Sequence, residues 1–331
     1  MLTASILLIV AVLAVSYANG ANDTFKGVAT LYGSGAASYR LALAWAVATT
    51  LAGSLLAAVL AQELVTAFSG KGLVPSSTLA DTAFTTSVAF GAAITVFATA
   101  LAGIPISTTH SLVGALTGAG LMASGSALNF AGLGQSFMLP LLLSPLLSVL
   151  LVATLYPSLS WLGTRLAVAG LPGRLAISLV ANERALRAMH FLSAGAVSFA
   201  RGTNDAPKIV GVALAAQAID AQISTVLIAF AMAVGGLMHS RPIAQTMAKG
   251  IVSFREAEGA LANTVTSGLV VSATFAGLPV STTHVSVGSL FGLAVTKGGA
   301  DWRMIRTIVA SWFLTLPTAL IASALVYLAI R

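Results

Sequence analysis

The sequence predicts an all-α, polytopic membrane protein made of two inverted-topology repeats, with broken helices and re-entrant helical hairpins. Three observations predict it. The chain of 331 residues is 57% hydrophobic and 8% charged, several apolar stretches have bilayer-crossing length, and two different motifs each occur twice in the same order. A soluble domain carries about 25% charged residues, so a mean hydropathy of +0.97 leaves too little polar surface to face water. Leu41 to Leu60, Leu133 to Leu155 and Ile305 to Ile330 run close to the ~20 apolar residues that a spanning helix needs. Lipid offers the backbone no hydrogen bonds, so helices or closed barrels alone can span. These stretches are too long and too continuously apolar for barrel strands.

The formal charge of +7 comes from basic residues scattered singly among apolar segments, which excludes a nucleic-acid face. With no cysteine, disulfides, thiolate metal sites and cysteine nucleophiles are impossible. No basic stretch precedes Ile6, so a cleaved leader is not expected.

Comparing the chain with itself shows the duplication. Ser16-Tyr-Ala-Asn-Gly-Ala-Asn22-Asp23-Thr-Phe-Lys26 matches Ser198-Phe-Ala-Arg-Gly-Thr-Asn204-Asp205-Ala-Pro-Lys208. Ala102-Gly-Ile-Pro-Ile-Ser107-Thr108-Thr109-His110 matches Ala276-Gly-Leu-Pro-Val-Ser281-Thr282-Thr283-His284. Apolar segments fall near 2–33, 40–62, 79–103, 107–125 and 134–155, then near 186–214, 219–239, 256–277, 281–297 and 303–329. The expected units are therefore a first repeat over 1–155, an interfacial cytoplasmic linker over 156–185 that carries Arg165, Pro172, Gly173 and Arg174, and a second repeat over 186–331. An odd number of crossings per half turns the second repeat upside down. Basic loop residues from Arg40 through the linker to Arg306 then fall on one side, against Lys71 and Arg331 on the other, which places the linker in the cytoplasm and both termini outside.

Ionisable groups at membrane depth are costly and mark transport paths. Here they form a symmetric set, Asp23 and Lys26 in one half and Asp205 and Lys208 in the other, each pair at i,i+3 on one helix face. Gly and Asn before each aspartate, at Asn19-Gly20-Ala21-Asn22 and Arg201-Gly202-Thr203-Asn204, predict a broken helix in both halves, with Pro207 in the first turn of the resumed helix. Ser107, Thr108 and Thr109, and their copies Ser281, Thr282 and Thr283, stand where helices begin. A helix start combines free N–H groups, hydroxyls and the positive end of the dipole, and so suits a tetrahedral oxyanion. Simple capping is the plainer reading of the same serines. His110 and His284 lie one step further in, as buried histidines or as proton relays. If the third and fourth segments of each half form a re-entrant hairpin, the two tips meet near the midplane beside the aspartates. The 79–103 arm is long for this and implies a break within it.

The paired Gly-x-Asn-Asp and Pro-x-Ser-Thr-Thr-His motifs resemble those of the PiT family of inorganic phosphate transporters over nearly the whole chain. That resemblance implies phosphate uptake coupled to sodium or protons, a multi-pass cell (inner) membrane protein, and a homodimer. It implies that Asn22, Asp23, Asn204 and Asp205 line the ion and phosphate site, with sodium at Asp23 and Asp205, while the two Ser-Thr-Thr runs hold phosphate oxygens. Many members read Asn-Asp-x-x-Asn in the first motif, whereas this chain has Lys26 there and Lys208 in the copy; an ammonium at that place stands where a cation would bind. No cofactor beyond a coupling proton or sodium is expected.

Sulfate permeation and a passive anion channel are the alternatives within the same architecture. A carboxylate accepts a hydrogen bond from the P–OH of protonated phosphate but repels fully ionised sulfate, which favours phosphate. An enzyme is not expected: nucleophilic catalysis needs one activated hydroxyl with an oriented base, and here every candidate Ser and His occurs in duplicate.

Overall fold

The computed structural model describes residues 2–168, 182–215, 220–249 and 251–331. Among them are ten helices of sixteen residues or more, five before residue 169 and five after residue 181. In chain order they are α1 (Leu2–Asp23), α2 (Tyr39–Leu60), α3 (Thr82–Leu101), α4 (Thr108–Ser124), α5 (Leu139–Val168), α6 (Glu183–Ala215), α7 (Ala221–His239), α8 (Glu256–Phe275), α9 (Thr282–Lys297) and α10 (Trp302–Ile330). Among the described residues, six stretches have the length and apolarity to cross a membrane: Leu2–Gly33, Tyr39–Ala57, Thr82–Leu101, Phe130–Leu162, Ala221–His239 and Trp302–Ile330. The chain is a multi-pass, all-helical membrane protein. Leu142, Leu146 and Leu150 on α5, and Phe313, Leu314, Ile321, Leu325 and Leu328 on α10, are exposed, an apolar surface that suits lipid and that water would not tolerate. α5 does not stop at residue 155 but runs on to Val168; Pro172, Gly173 and Arg174 of the expected linker lie outside the described residues.

The helix packing repeats when the halves are exchanged. α1 packs on α3 and α7, as α6 packs on α8 and α2; α4 packs on α10 as α9 packs on α5. Small residues set these approaches. A Cβ on Gly20 would overlap the Met232 carbonyl, and one on the matching Gly202 would overlap the Thr50 carbonyl. Without a hydrophobic drive between helices in lipid, such close backbone packing supplies much of the adhesion.

α3 and α4 form one hairpin and α8 and α9 another, and the repeated Ala-Gly-x-Pro-x-Ser sequence builds both tips. Gly103 and Gly277 take φ of 70° and 65°, the left-handed cap that ends a helix. Ile104 N–H closes on Thr99 O at 3.0 Å and Leu278 N–H on Ala273 O at 2.8 Å, identical capping loops. Proline then blocks continuation, and Ser107 and Ser281 restart the chain as N-caps, each accepting from the backbone N–H of His110 or His284 at 3.1 Å. The break implied for the long arm does not exist: α3 is uninterrupted, because its start is fixed by Asp81, which accepts from Ala83 N–H at 2.9 Å, and the residues before it fold as the separate turn Ser76–Leu79.

Candidate functional site

Both aspartate motifs differ from the expectation, each in its own way. In the first, the chain does leave the α-helix, but after the aspartate: α1 is helical through Asn19, Gly20, Ala21 and Asn22 to Asp23, and Thr24–Val28 then winds as a 3-10 turn before the short helix Ala29–Gly33. In the second, the expected break is absent. α6 is continuous from Glu183 to Ala215 with Pro207 inside it, not at the start of a resumed helix. An interior proline costs a helix about 3 kcal/mol, and here packing against α2 and α8 holds the helix through it. The motif glycines serve close packing against α7 and α2 rather than unwinding.

Both motifs point at both hairpin tips. The twelve sequence-derived candidates, Asn22, Asp23, Lys26, Ser107, Thr108, Thr109, Asn204, Asp205, Lys208, Ser281, Thr282 and Thr283, are each at most 4% exposed. Asp23 Oδ1 accepts from Lys26 Nζ at 2.7 Å, Thr283 Oγ1 at 3.0 Å and Arg201 Nη1 at 3.2 Å; its Oδ2 accepts from Thr108 Oγ1 at 2.7 Å and Asn19 Nδ2 at 2.8 Å. Lys26 Nζ also donates to Ile106 O at 2.8 Å and to Thr283 Oγ1 at 2.7 Å. On the other side Lys208 Nζ donates to Asp205 Oδ1 at 3.1 Å, Val280 O at 2.9 Å and Thr109 Oγ1 at 2.7 Å, and Thr282 Oγ1 donates to Asp205 Oδ2 at 3.3 Å. Each lysine thus joins the aspartate and tip carbonyl of its own half to a threonine of the other.

The remaining candidates have narrower roles. Asn22 pins the first tip, donating from Nδ2 to Ile106 O at 2.9 Å and accepting from Ile106 N–H at 3.4 Å. Asn204 does not mirror it: its Nδ2 donates to Thr274 Oγ1 at 2.8 Å and its Oδ1 has no partner among the described residues. Ser107 and Ser281 turn back onto their own helices as N-caps, and it is Thr108, Thr282 and Thr283 that reach the carboxylates. His110 and His284 meet ring to ring at 4.4 Å, His284 stacks on Trp312 at 3.9 Å, and His110 Nδ1 lies 3.0 Å from Ser107 Oγ.

Two residues of the cluster, both named in the motifs, were not among the site candidates. Asn19 and Arg201 occupy the same place in the two motifs. Asn19 bridges Asp23 and Thr108, the latter at 3.1 Å. Arg201, 1% exposed, donates from Nη1 to Asp23 Oδ1 and, at 3.3 Å, to Thr282 Oγ1, and from Nη2 to Thr282 O at 3.3 Å and Ser286 Oγ at 3.1 Å. Its Nε has no partner among the described residues. Through Thr282 it links Asp23 to Asp205. The signal for it was present, an arginine inside an apolar stretch.

With Lys26, Lys208 and Arg201 protonated and Asp23 and Asp205 ionised, the cluster carries one excess positive charge. It sits where the N-termini of α4 and α9 converge, both positive dipole ends. Buried in this way, unbalanced positive charge and many N–H and O–H donors fit an anion better than a cation or an apolar ligand.

Comparison with known proteins agrees with this chemistry. A model described as the phosphate transporter family matches residues 19–323. A probable low-affinity inorganic phosphate transporter of Mycobacterium bovis is 30% identical over 335 residues, covering 97% of this chain and 76% of its own length. One of the same description from Bacillus subtilis is 28% identical over 341 residues, covering 99% and 97%. A solved structure titled the sodium-dependent phosphate transporter superposes with a TM-score of 0.83 over 99% of both chains, at 22% identity, and so shares the fold.

Proposed function

The chain belongs to the phosphate transporter family, and from that premise we propose that it carries inorganic phosphate across the cell (inner) membrane as a secondary active transporter, the ion held between the two hairpin tips. The observation that carries this is the buried cluster with one positive charge more than its carboxylates neutralise. Arg201, with its unpartnered Nε, is the anchor for a phosphate oxygen, and Thr108, Thr109, Thr282 and Thr283 supply neutral donors at two helix starts. Asp23 or Asp205 takes the hydrogen bond of the P–OH, a contact that fully ionised sulfate cannot make. The exchange symmetry of the packing supports an inverted repeat, and with it alternating access in which one half rocks against the other about the cluster. Transport is coupled to a cation, a proton or sodium; the linker is cytoplasmic, both termini are outside, and the carrier is a homodimer.

The test is uptake of radiolabelled phosphate by proteoliposomes that hold the purified protein. Saturable accumulation against a phosphate gradient, competed weakly by sulfate, is the expected result. Downhill flux alone would make it a channel, and sulfate uptake that phosphate does not inhibit would make it a sulfate permease.

A further inference from the structure

Lys26 and Lys208 each end in a shell made wholly of oxygen. Lys26 Nζ has a carboxylate oxygen of Asp23 at 2.7 Å, the Ile106 carbonyl at 2.8 Å and the Thr283 hydroxyl at 2.7 Å. Lys208 Nζ has Asp205 Oδ1 at 3.1 Å, the Val280 carbonyl at 2.9 Å and the Thr109 hydroxyl at 2.7 Å. An ammonium has three N–H donors and no acceptor, and here each donor has one partner. A carboxylate, a backbone carbonyl and a hydroxyl are also the donor set that a hard cation selects.

We infer that the ammonium groups of Lys26 and Lys208 are tethered substitutes for two bound monovalent metal cations, so that phosphate carriage by this chain proceeds without sodium at Asp23 or Asp205. The inference rests on the phosphate-carrier reading and specifies its coupling. A buried ammonium needs three acceptors in any role, so the mark of these two is where the acceptors come from and that the pattern is repeated. Each stem here reaches past its carboxylate, to the tip carbonyl of its own half and to a threonine hydroxyl of the opposite hairpin, and the same three-part shell is built twice with the halves exchanged. The tip carbonyls are the second sign. Ile106 and Val280 lie just after Pro105 and Pro279, outside the helices, and both face a cationic nitrogen in the closed interior.

Two consequences follow for transport. The lysines neutralise the two carboxylates permanently, which leaves the charge of Arg201 for the phosphate and removes the need for sodium to enter with it at these two places. A cation on a side-chain stem cannot be released on either side, so a sodium gradient has no hold on the cycle through these two places. Replacing Lys26 by asparagine removes the resident charge and leaves an amide oxygen beside Asp23, Ile106 and Thr283, an oxygen cage with room for sodium. Methionine removes the charge and supplies no oxygen.

The experiment uses the full-length protein reconstituted in liposomes, with phosphate uptake in sodium chloride compared with choline chloride of equal ionic strength, and binding of radiolabelled sodium to the same purified preparations. Wild type is expected to take up phosphate equally in both salts and to bind no saturable sodium. Lys26→Asn and Lys208→Asn are expected to bind sodium and to transport about tenfold better in sodium than in choline, a typical coupling between two sites. Lys26→Met is expected to be inactive in both salts. Saturable sodium binding by wild type, sodium-dependent wild-type uptake, or Lys26→Asn behaving like Lys26→Met in sodium would each overturn the inference. Absence of any wild-type phosphate uptake would instead overturn the carrier reading, and the sodium-binding measurement would still decide the role of the lysines.

Discussion

Asp23 and Asp205 are equivalent in the motif, but the structure loads them unequally, and Asn substitution at each measures the difference. Asp23 accepts five hydrogen bonds, two of them from the cations Lys26 and Arg201 at 2.7 and 3.2 Å. Asp205 accepts two, one from a cation, Lys208, at 3.1 Å. Asp→Asn at either position raises the cluster charge from +1 to +2. At Asp23 it strands two buried cations, and at Asp205 one. Removing one partner of a buried pair costs about 3–5 kcal/mol, so Asp205→Asn belongs at the low end and Asp23→Asn about 2 kcal/mol beyond it. At roughly 2–4 °C per kcal/mol, the melting temperature of the detergent-purified protein should fall about 5 °C further for Asp23→Asn than for Asp205→Asn. Hydrogen bonding does not account for the gap, because Asn19, whose Oδ1 has no partner among the described residues, can flip to accept from a new amide at position 23. The double variant Asp23→Asn/Arg201→Gln returns the cluster to +1 and should regain most of that loss, whereas Arg201→Gln should rescue Asp205→Asn far less. Equal melting temperatures for the two single variants, or no rescue of Asp23→Asn, would refute the charge accounting.

Arg201→Gln removes the guanidinium N–H assigned to the phosphate, a charge-assisted hydrogen bond worth about 1.5–3 kcal/mol, and should weaken equilibrium phosphate binding by roughly ten- to a hundredfold while the protein still purifies as a single species; unchanged affinity would remove Arg201 from the anion site. Gly20→Ala and Gly202→Ala place a Cβ against the Met232 and Thr50 carbonyls and should each cost about 1–3 kcal/mol in thermal stability, whereas Gly134→Ala, which meets nothing within 4 Å, should be neutral. Ser107→Ala loses a cap and about 1 kcal/mol, visible in the melting temperature, while Thr283→Val breaks contacts with Lys26, Asp23 and the Ile106 carbonyl and should reduce uptake much further than Ser107→Ala does.

Much of the fold was written locally and so could be read locally. Ala-Gly-x-Pro-x-Ser-Thr-Thr-His states in nine residues where one helix stops and the next begins, and both tips form as read because cap chemistry depends on little beyond neighbouring residues. The helix breaks were less legible because their outcome is decided by packing. Gly20 and Gly202 look like weak points in isolation, yet their missing side chains allow α7 and α2 to approach, and that contact strengthens the helix the glycine would otherwise loosen. Pro207 likewise sits inside a helix that runs unbroken between two packed neighbours.

Arg201 was harder to see for a reason that lies in the duplication. Searching for matched residues finds Asp23 with Asp205 and Lys26 with Lys208, and passes over a position that reads Asn19 in one half and Arg201 in the other. Yet matched residues of a duplicated sequence contribute charge in pairs, and two aspartates with two lysines sum to zero. An odd charge at the centre of a duplicated structure has to come from a position where the repeats disagree. In this chain that position is 201, next to both carboxylates through Asp23 and Thr282. On the phosphate-carrier reading, the charge left for the anion is therefore set where the repeats disagree. Exchanging the two residues, Asn19→Arg with Arg201→Asn, should keep phosphate transport at a reduced but measurable rate, whereas Arg201→Asn alone should lose it; equal loss in both would show that the charge matters by its exact place and not by its sum.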